Sequence, residues 1–278
     1  MKVLVTGATG YLGRQLIPQM MAEGWTPLAV DRKAGDIGLE VREVDLRQTE
    51  AVNTLFDETV DALVHLANMS SWLMPEPDVA LNQNLLMCTN LFQAARKTGV
   101  KKIVFASSIH AFIGLKPDQA TSICKTLVPY LPLDGDAPAW PACPYGLMKS
   151  LGEQMLRFHA NVDSITTFSL RLPWLTTVEK IQLSRQSDRE PGPVVLAGGC
   201  SCLTYEDAAG LIVACLKSNI TGNHVYMPAA YTPAVGKPIP EIIRQYYSNI
   251  PLRKPVEQIT SLVDVSLIEK EVDWRPSL

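Results

Sequence analysis

Residues 1–13 read MKVLVTGATGYLG. Val3–Val5 is apolar, short and β-branched at both ends, which predicts one buried strand. Gly7 then permits a tight turn that most side chains forbid. From Leu12 the apolar residues recur at helical spacing, at Leu16 and Met20. The stretch therefore predicts strand, glycine turn, helix. A helix N-terminus carries partial positive charge and unpaired N–H groups, which suit a phosphate. Gly10 lets the backbone approach such a group, and Gly13 lets the helix pack close on the strand. A glycine-rich turn alone need hold no ligand.

The next segment favours the ligand. "WTPLAVD" at 25–31 predicts a second strand ending in Asp31. An acid there accepts bonds from the adenosine ribose hydroxyls of a dinucleotide, although an Asp at a strand end is also a plain turn former. Asp31 would repel a 2′-phosphate, which points to NAD rather than NADP. Arg32 is the opposing sign, because an arginine there can hold that phosphate.

Further strands are predicted at 39–46, 61–68, 101–108, 164–173 and 223–228. Helices are predicted at 49–58 with Thr49 as cap, at 77–99 closed by Gly99, at 145–160, at 204–218 capped by Thr204, and near 238–248. Alternating strands and helices mean an α/β fold, a Rossmann-type doubly wound parallel sheet covered on both faces. The Rossmann domain spans 1–173 and takes back 204–228. Segments 174–203 and 229–278 are expected to form a small C-terminal substrate lobe. Ligands of such sheets sit beyond the C-terminal strand ends. The stretch 110–144 is proline-rich and aperiodic, with prolines at 117, 129, 132, 138, 141 and 144, and is expected to carry substrate contacts and to order on binding.

A net charge of −3 gives no basic surface, so nucleic acid is not an expected partner. No window matches a membrane helix and the opening carries no signal-peptide pattern, which favours the cytoplasm. The cysteines at 88, 124, 143, 200, 202 and 215 form no CxxC pair and no zinc spacing with histidine, so no metal is expected. Cys200-Ser-Cys202 reads as a chance loop pair or, alternatively, a redox pair.

Tyr145 and Lys149 form Y-x-x-x-K at a helix start, one turn apart on one face. A free tyrosine, with a pKa of about 10, is a poor base at neutral pH, and a nearby ammonium stabilises its phenolate. The pair then suits proton transfer at a carbonyl or alcohol, although the spacing alone also fits two ordinary helix residues. Ser107 and Ser108 end the fifth strand, where a hydroxyl holds a substrate oxygen or caps a turn.

With T-G-x-x-G-x-x-G at 6–13, the acid at 31, D-L at 45–46, H-L-A at 65–67, Asn84, S-S at 107–108, Y-x-x-x-K at 145–149, SLRLP at 169–173 and DWRP at 273–276, the sequence resembles the extended short-chain dehydrogenase/reductase family. The resemblance implies a catalytic triad of Ser108, Tyr145 and Lys149. It implies a cofactor site of Gly7, Thr9, Gly10, Tyr11, Leu12, Gly13, Asp31, Arg32, Asp45, Leu46, Leu66, Ala67, Asn84 and Pro173, with Tyr145 and Lys149. "IVFASSIHAFIG" is similar to the serine strand of the uronate dehydrogenase branch. There Ser70 and His110 match substrate residues, and Trp174 stands where that branch has a substrate-binding serine. Ile109 replaces an asparagine, so both departures make the pocket more apolar. His110 equally fits a structural histidine.

The leading expectation is an NAD-dependent oxidoreductase acting on a hydroxyl or carbonyl of a small sugar-derived or polyol substrate. A nucleotide-sugar epimerase or dehydratase is the alternative, and a non-catalytic dinucleotide-sensing module is a third reading. The resemblance also implies a homodimer through helices 79–98 and 145–160, with Leu81, Leu85, Met148 and Leu156 as candidates for core or interface.

Overall fold

A computed structural model of the chain describes residues 1–69, 76–114 and 128–278. The opening motif folds as β1 (Lys2–Thr6), a turn, and α1 (Tyr11–Ala22). There follow β2 (Thr26–Asp31), β3 (Val41–Glu43), α2 (Thr49–Asn53), β4 (Ala62–His65), α3 (Pro77–Lys97) and β5 (Lys102–Ser108). After the stretch at 110–143 come α4 (Pro144–Asp163), β6 (Thr166–Leu172), β7 (Trp174–Thr176), α5 (Val178–Arg185) and α6 (Pro193–Ala197). The chain closes with β8 (Cys202–Thr204), α7 (Tyr205–Lys217), β9 (Asn223–Tyr226), α8 (Ile239–Tyr246) and α9 (Ser266–Val272).

Among the described residues, seven parallel strands form one sheet in the order β3-β2-β1-β4-β5-β6-β9. The chain winds outward from β1 to β3, then restarts at β4 on the other side of β1. That reversal opens a crevice beyond the C-terminal ends of β1 and β4, where ligands of open α/β sheets bind. β6 is buried at every residue and β4 likewise, as a sheet covered on both faces requires. Alternate side chains serve alternate faces. Val3, Val5, Val64 and Val104 pack with Leu16, Ile17 and Met20 of α1 and Leu211 and Ile212 of α7. Leu4, Leu63, Ile103 and Phe105 pack with α2, α3 and α4 through Val52, Leu91, Phe92 and Leu156.

β7 and β8 make a separate parallel pair, Trp174 opposite Cys202. Leu131 and Leu133 run alongside Leu252 and Val263, and Val128, Leu131 and Leu133 are buried. These residues share one core with the first face of the sheet through Ile242, Tyr247 and Val263. In the second half of the proline-rich stretch, the backbones of Leu131 and Leu133 are hydrogen-bonded to Pro251, Arg253, Leu262 and Asp264. Residues 115–127 lie outside the described residues. The C-terminal DWRP segment is pinned to α7: Trp274 Nε1 donates to the Asp207 carbonyl at 3.0 Å, and Ser277 Oγ to the Asp207 carboxylate at 2.9 Å.

Several sequence expectations shift. Gly99 closes α3 in the left-handed region (φ 78°) and Thr204 caps α7 by accepting from Asp207 N, as expected. Thr49 does not cap α2. Gln48 holds that place, and the Thr49 hydroxyl donates instead to Asn90 Oδ1 at 3.1 Å. β3 is much shorter than 39–46, because Asp45 turns to pair with Arg47. Met148 and Leu156 are core, at 1% and 0% exposure, and Leu81 and Leu85 pack against the same cluster.

Candidate active site

The turn after β1 shows why glycine is required. Gly7 has φ 73°, and a Cβ there would lie 2.7 Å from Ala67 N. A Cβ on Gly13 would lie 2.4 Å from the Ala8 carbonyl oxygen, so α1 is seated against its own strand turn. Gly10 occupies the N-cap of α1 with extended backbone, and no side chain caps the helix. The first-turn N–H groups thus face the crevice, as an anionic group would use them. Asp31 is held by Thr9, whose N and Oγ1 donate to Oδ2 at 3.0 and 2.8 Å. Arg32 N donates to Oδ1 at 2.7 Å.

Gly7, Thr9, Gly10 and Asp31 wall a groove of about 430 Å³ together with Arg32, Asp45, Leu46, Leu66 and Ala67. Arg47 pairs with Asp45 at 2.6 Å and holds its carboxyl below the usual carboxylate range. A second cavity of about 260 Å³ continues the groove past Gly10, Tyr11, Leu12 and Gly13 to Ser108, Tyr145, Lys149 and Pro173. Tyr11 is exposed and stacks on Tyr205, ring centroids 5.6 Å apart. Asn84 is not on the wall. Its carboxamide is buried and bonds the Met69 N–H and C=O at 2.8 and 3.0 Å and the Ala80 carbonyl at 2.8 Å. It reaches the groove only through Met69, which lines it.

The Y-x-x-x-K pair and the serine do converge. α4 carries Tyr145 and Lys149, and β5 delivers Ser108 beside Leu172 of β6. The Ser108 hydroxyl also caps the 3₁₀ turn Ile109–Ala111, accepting from His110 N at 3.3 Å. Lys149 is buried. Its Nζ donates to the Ala106 carbonyl at 2.6 Å, lies over the Phe105 ring, and stands 5.6 Å from the Tyr145 ring centroid. Burial pulls the ammonium down to about 8. Burial raises the Tyr145 phenol, while its hydrogen bond with Ser108 works the other way. The expected lowering of the phenol is therefore not met in this geometry, where desolvation prevails and Lys149 is engaged with Ala106.

A third cavity, of about 400 Å³, opens beyond Ser108, Leu172 and Pro173, with His110, Trp174 and Ser201 on its walls. The His110 ring meets Tyr145 edge-on at 5.6 Å, and burial lowers its pKa to about 4, so it is neutral at pH 7. Ser70 lies outside the described residues. Among the described residues, no group of three or more His, Cys, Asp or Glu side chains stands ready to hold a metal ion.

Two features escaped the sequence reading. Glu153 and Arg171, both 4% exposed, form a two-pronged ion pair at 2.8 and 3.1 Å. Ser107 Oγ donates to the same carboxylate at 2.6 Å, and Arg171 Nη1 donates to the Gly135 and Ala137 carbonyls. Glu153 lies one turn beyond Lys149 on the face already read as chemical, and that spacing was the available signal. Ser201 was hidden inside a motif read only for its cysteines.

The model of the NAD dependent epimerase/dehydratase family matches residues 3–177. Uronate dehydrogenase of Pseudomonas putida is 31% identical over 215 residues, covering 76% of this chain and 69% of that protein. A UDP-glucose 4-epimerase of Lactobacillus helveticus is 31% identical over 182 residues, but the chain spans only 51% of its length. A short-chain dehydrogenase/reductase superfamily protein of Agrobacterium tumefaciens, solved with bound NAD, shares the fold with a TM-score of 0.73 at 20% identity, covering 100% of this chain and 93% of that one. The family model matches more than half of a chain whose crevice brings together a glycine turn, Asp31, Ser108, Tyr145 and Lys149: it belongs to the NAD-dependent epimerase/dehydratase family, enzymes of the extended short-chain dehydrogenase/reductase type.

Proposed function

We propose that the chain is an NAD-dependent dehydrogenase that interconverts a hydroxyl and a carbonyl on a small sugar-derived or polyol substrate. The observation that carries the reading is a shared wall: Ser108, Leu172 and Pro173 line both the inner end of the groove and the 400 Å³ cavity. Cofactor and substrate would meet there, at Tyr145. The uncapped N-terminus of α1 with Gly7, Thr9, Gly10, Tyr11, Leu12 and Gly13 would hold the pyrophosphate. Asp31 would take the ribose hydroxyls, and its fixed carboxylate supports NAD over NADP, with Arg32 at the rim. Asp45 and Leu46 would flank adenine, Leu66 and Ala67 the middle of the cofactor, and Pro173 the nicotinamide. Asn84 would act by fixing Met69.

Bound nicotinamide supplies a hydride acceptor or donor. Tyr145 takes the hydroxyl proton in oxidation and returns it in reduction. Ser108 orients the reacting oxygen. Lys149 holds the nicotinamide ribose and stabilises the phenolate as it forms. His110 and Trp174 bound the substrate, and Ser70 would join them. The small cavity supports a compact substrate over a nucleotide sugar. Leu86, Leu147, Leu151, Phe158 and Val162 leave apolar area exposed on α3 and α4, which supports a homodimer through these helices.

Tyr145→Phe tests the chemistry. Turnover, read as NADH absorbance, should fall at least about a hundredfold, while NAD affinity stays within about threefold. A fully active variant would remove the tyrosine from the mechanism. An epimerase would instead convert substrate with no net NADH.

A further inference from the structure

Beside the meeting point of Ser108, Tyr145 and Lys149 lies a buried polar layer made of Ser107, Glu153 and Arg171. Ser107 of β5 stands opposite Arg171 of β6 in the sheet. Glu153 of α4 spans the two. Its Oε1 accepts from Ser107 Oγ at 2.6 Å and from Arg171 Nε at 3.1 Å, and its Oε2 accepts from Arg171 Nη2 at 2.8 Å. Each donor comes from a strand that runs to the site. β5 ends in Ser108 and β6 in Leu172, and both residues line the inner end of the groove.

α4 is seated on β5 over its first three turns. A Cβ on Gly146 would lie 2.2 Å from the His110 carbonyl oxygen, and one on Gly152 would lie 2.7 Å from the Phe105 ring. Between them Lys149 Nζ donates to the Ala106 carbonyl at 2.6 Å. The glycine contacts limit how near the helix comes, but they have no direction along it. The Lys149 bond has one prong, on a flexible stem. The contact at Glu153 is a two-pronged fork with a third directed bond from Ser107, so it sets both spacing and angle. The same guanidinium donates the other way, to the carbonyls of Gly135 and Ala137 in the loop before α4.

Stability alone gives little reason for charges here. Two buried ions lose water, and a well-packed apolar pair of similar volume often serves a fold as well or better. A planar fork supplies what apolar packing does not, a fixed relative orientation of the groups it joins. Proton transfer needs that orientation. The Tyr145 hydroxyl is hydrogen-bonded with Ser108, and a misplacement of about 1 Å in such a constellation costs about a hundredfold in rate.

We propose that Glu153, clamped by Arg171, is a positioning residue for the proton transfer: through Ser107 it fixes the seat of α4 on β5, and so the approach of the Tyr145 hydroxyl to Ser108 and the reacting oxygen. The kinetic part of the inference rests on the dehydrogenase reading above; the geometric part does not.

Ser107→Ala removes the link from β5 to Glu153 and leaves the ion pair in place, whereas Glu153→Gln breaks the clamp itself and puts the fold at risk. The full chain with NAD is offered D-galacturonate, D-glucuronate, D-galactose and L-arabinose, and NADH formation is followed on the sugar that the wild type turns over fastest. Ser107→Ala should keep a cooperative melt and lose about tenfold in kcat, with KM and NAD affinity within about threefold. Ser107→Thr, which keeps the hydroxyl, should restore kcat to within about threefold of the wild type. In crystals the separation of Ser108 Oγ and Tyr145 Oη should widen by about 0.5 Å or more in Ser107→Ala and not in Ser107→Thr. A wild-type kcat in Ser107→Ala, an equal loss of NAD affinity, no restoration by threonine or an unchanged separation would overturn the assignment. A wider separation in Ser107→Ala, with no NADH from any of the sugars even in the wild type, would uphold the positioning and overturn the dehydrogenase reading instead.

Discussion

The groove and the cavity beside it are built on different principles. The groove is local: Gly7 to Gly13 and Asp31 come from two adjacent βα units, and neighbouring backbone fixes their positions. The cavity is assembled from five separated places, at Ser108–His110, Leu172–Trp174, Ser184, Val194–Ser201 and Ala234. One is a motif that short sequence reveals; the other exists only after folding. The lesson is that cofactor use is readable long before substrate choice, because the two are written at different sequence distances.

Substitutions can break that contrast. Lys149→Met should have the largest effect, since the residue is buried at the inner end of the groove beside Tyr145. Turnover should drop more than about a hundredfold and NAD affinity should fall as well. Loss of turnover with unchanged NAD affinity would show that Lys149 serves the substrate side alone.

Acid is the next probe. His65 is buried under the groove, with Nδ1 2.8 Å from Thr6 Oγ1 and its ring stacked on Phe105, and burial lowers its pKa to about 3. Between pH 6.5 and about 3 the unfolded chain binds a proton there and the folded chain does not. Its contribution is therefore fully present above 6.5 and is lost as pH falls, by about 2 kcal/mol at pH 5. His65→Gln should flatten the pH dependence of chemical denaturation by one proton's slope. An unchanged slope would contradict a neutral buried imidazole.

Asp31→Ala should weaken NAD by about tenfold and narrow its lead over NADP, with the KM for substrate unaffected. Trp174→Ala should do the reverse, raising substrate KM by about threefold to tenfold through lost apolar contact while NAD titrations superimpose. If either variant moved both constants equally, the two regions would be one energetic unit.

The parallel α/β sheet was legible because β1, β4 and β5 are short apolar runs separated by helices of clear period. Ser108 closes β5 while Tyr145 and Lys149 open α4, and these element ends bring the three residues to one cavity. The region 174–203 was not legible. α5 and α6 are short and carry weak patterns, and β7 and β8 have three residues each. Their pairing depends on contacts across some thirty residues of chain, which no local period encodes. Thr49 misled for a related reason: a threonine before an apolar run reads as a cap, but Asn90 of α3 offers it a tertiary partner.

The ion pair between Glu153 and Arg171 has a consequence for how such a chain can diverge. It ties the strand residue next to Ser108, through Ser107, to the helix that carries Tyr145, and ties both to the 135–137 loop. Changing either partner alone strands a desolvated charge, at about 3–5 kcal/mol, against a typical domain stability of only about 5–15 kcal/mol. Lysine at 171 would keep the charge and lose the fork. Single-step drift at these two positions is therefore closed, and only a concerted exchange crosses the gap. Among the described residues, the walls of the third cavity carry no such ion pair. Trp174, on those walls, can change while the spacing between Ser108 and Tyr145 is inherited intact.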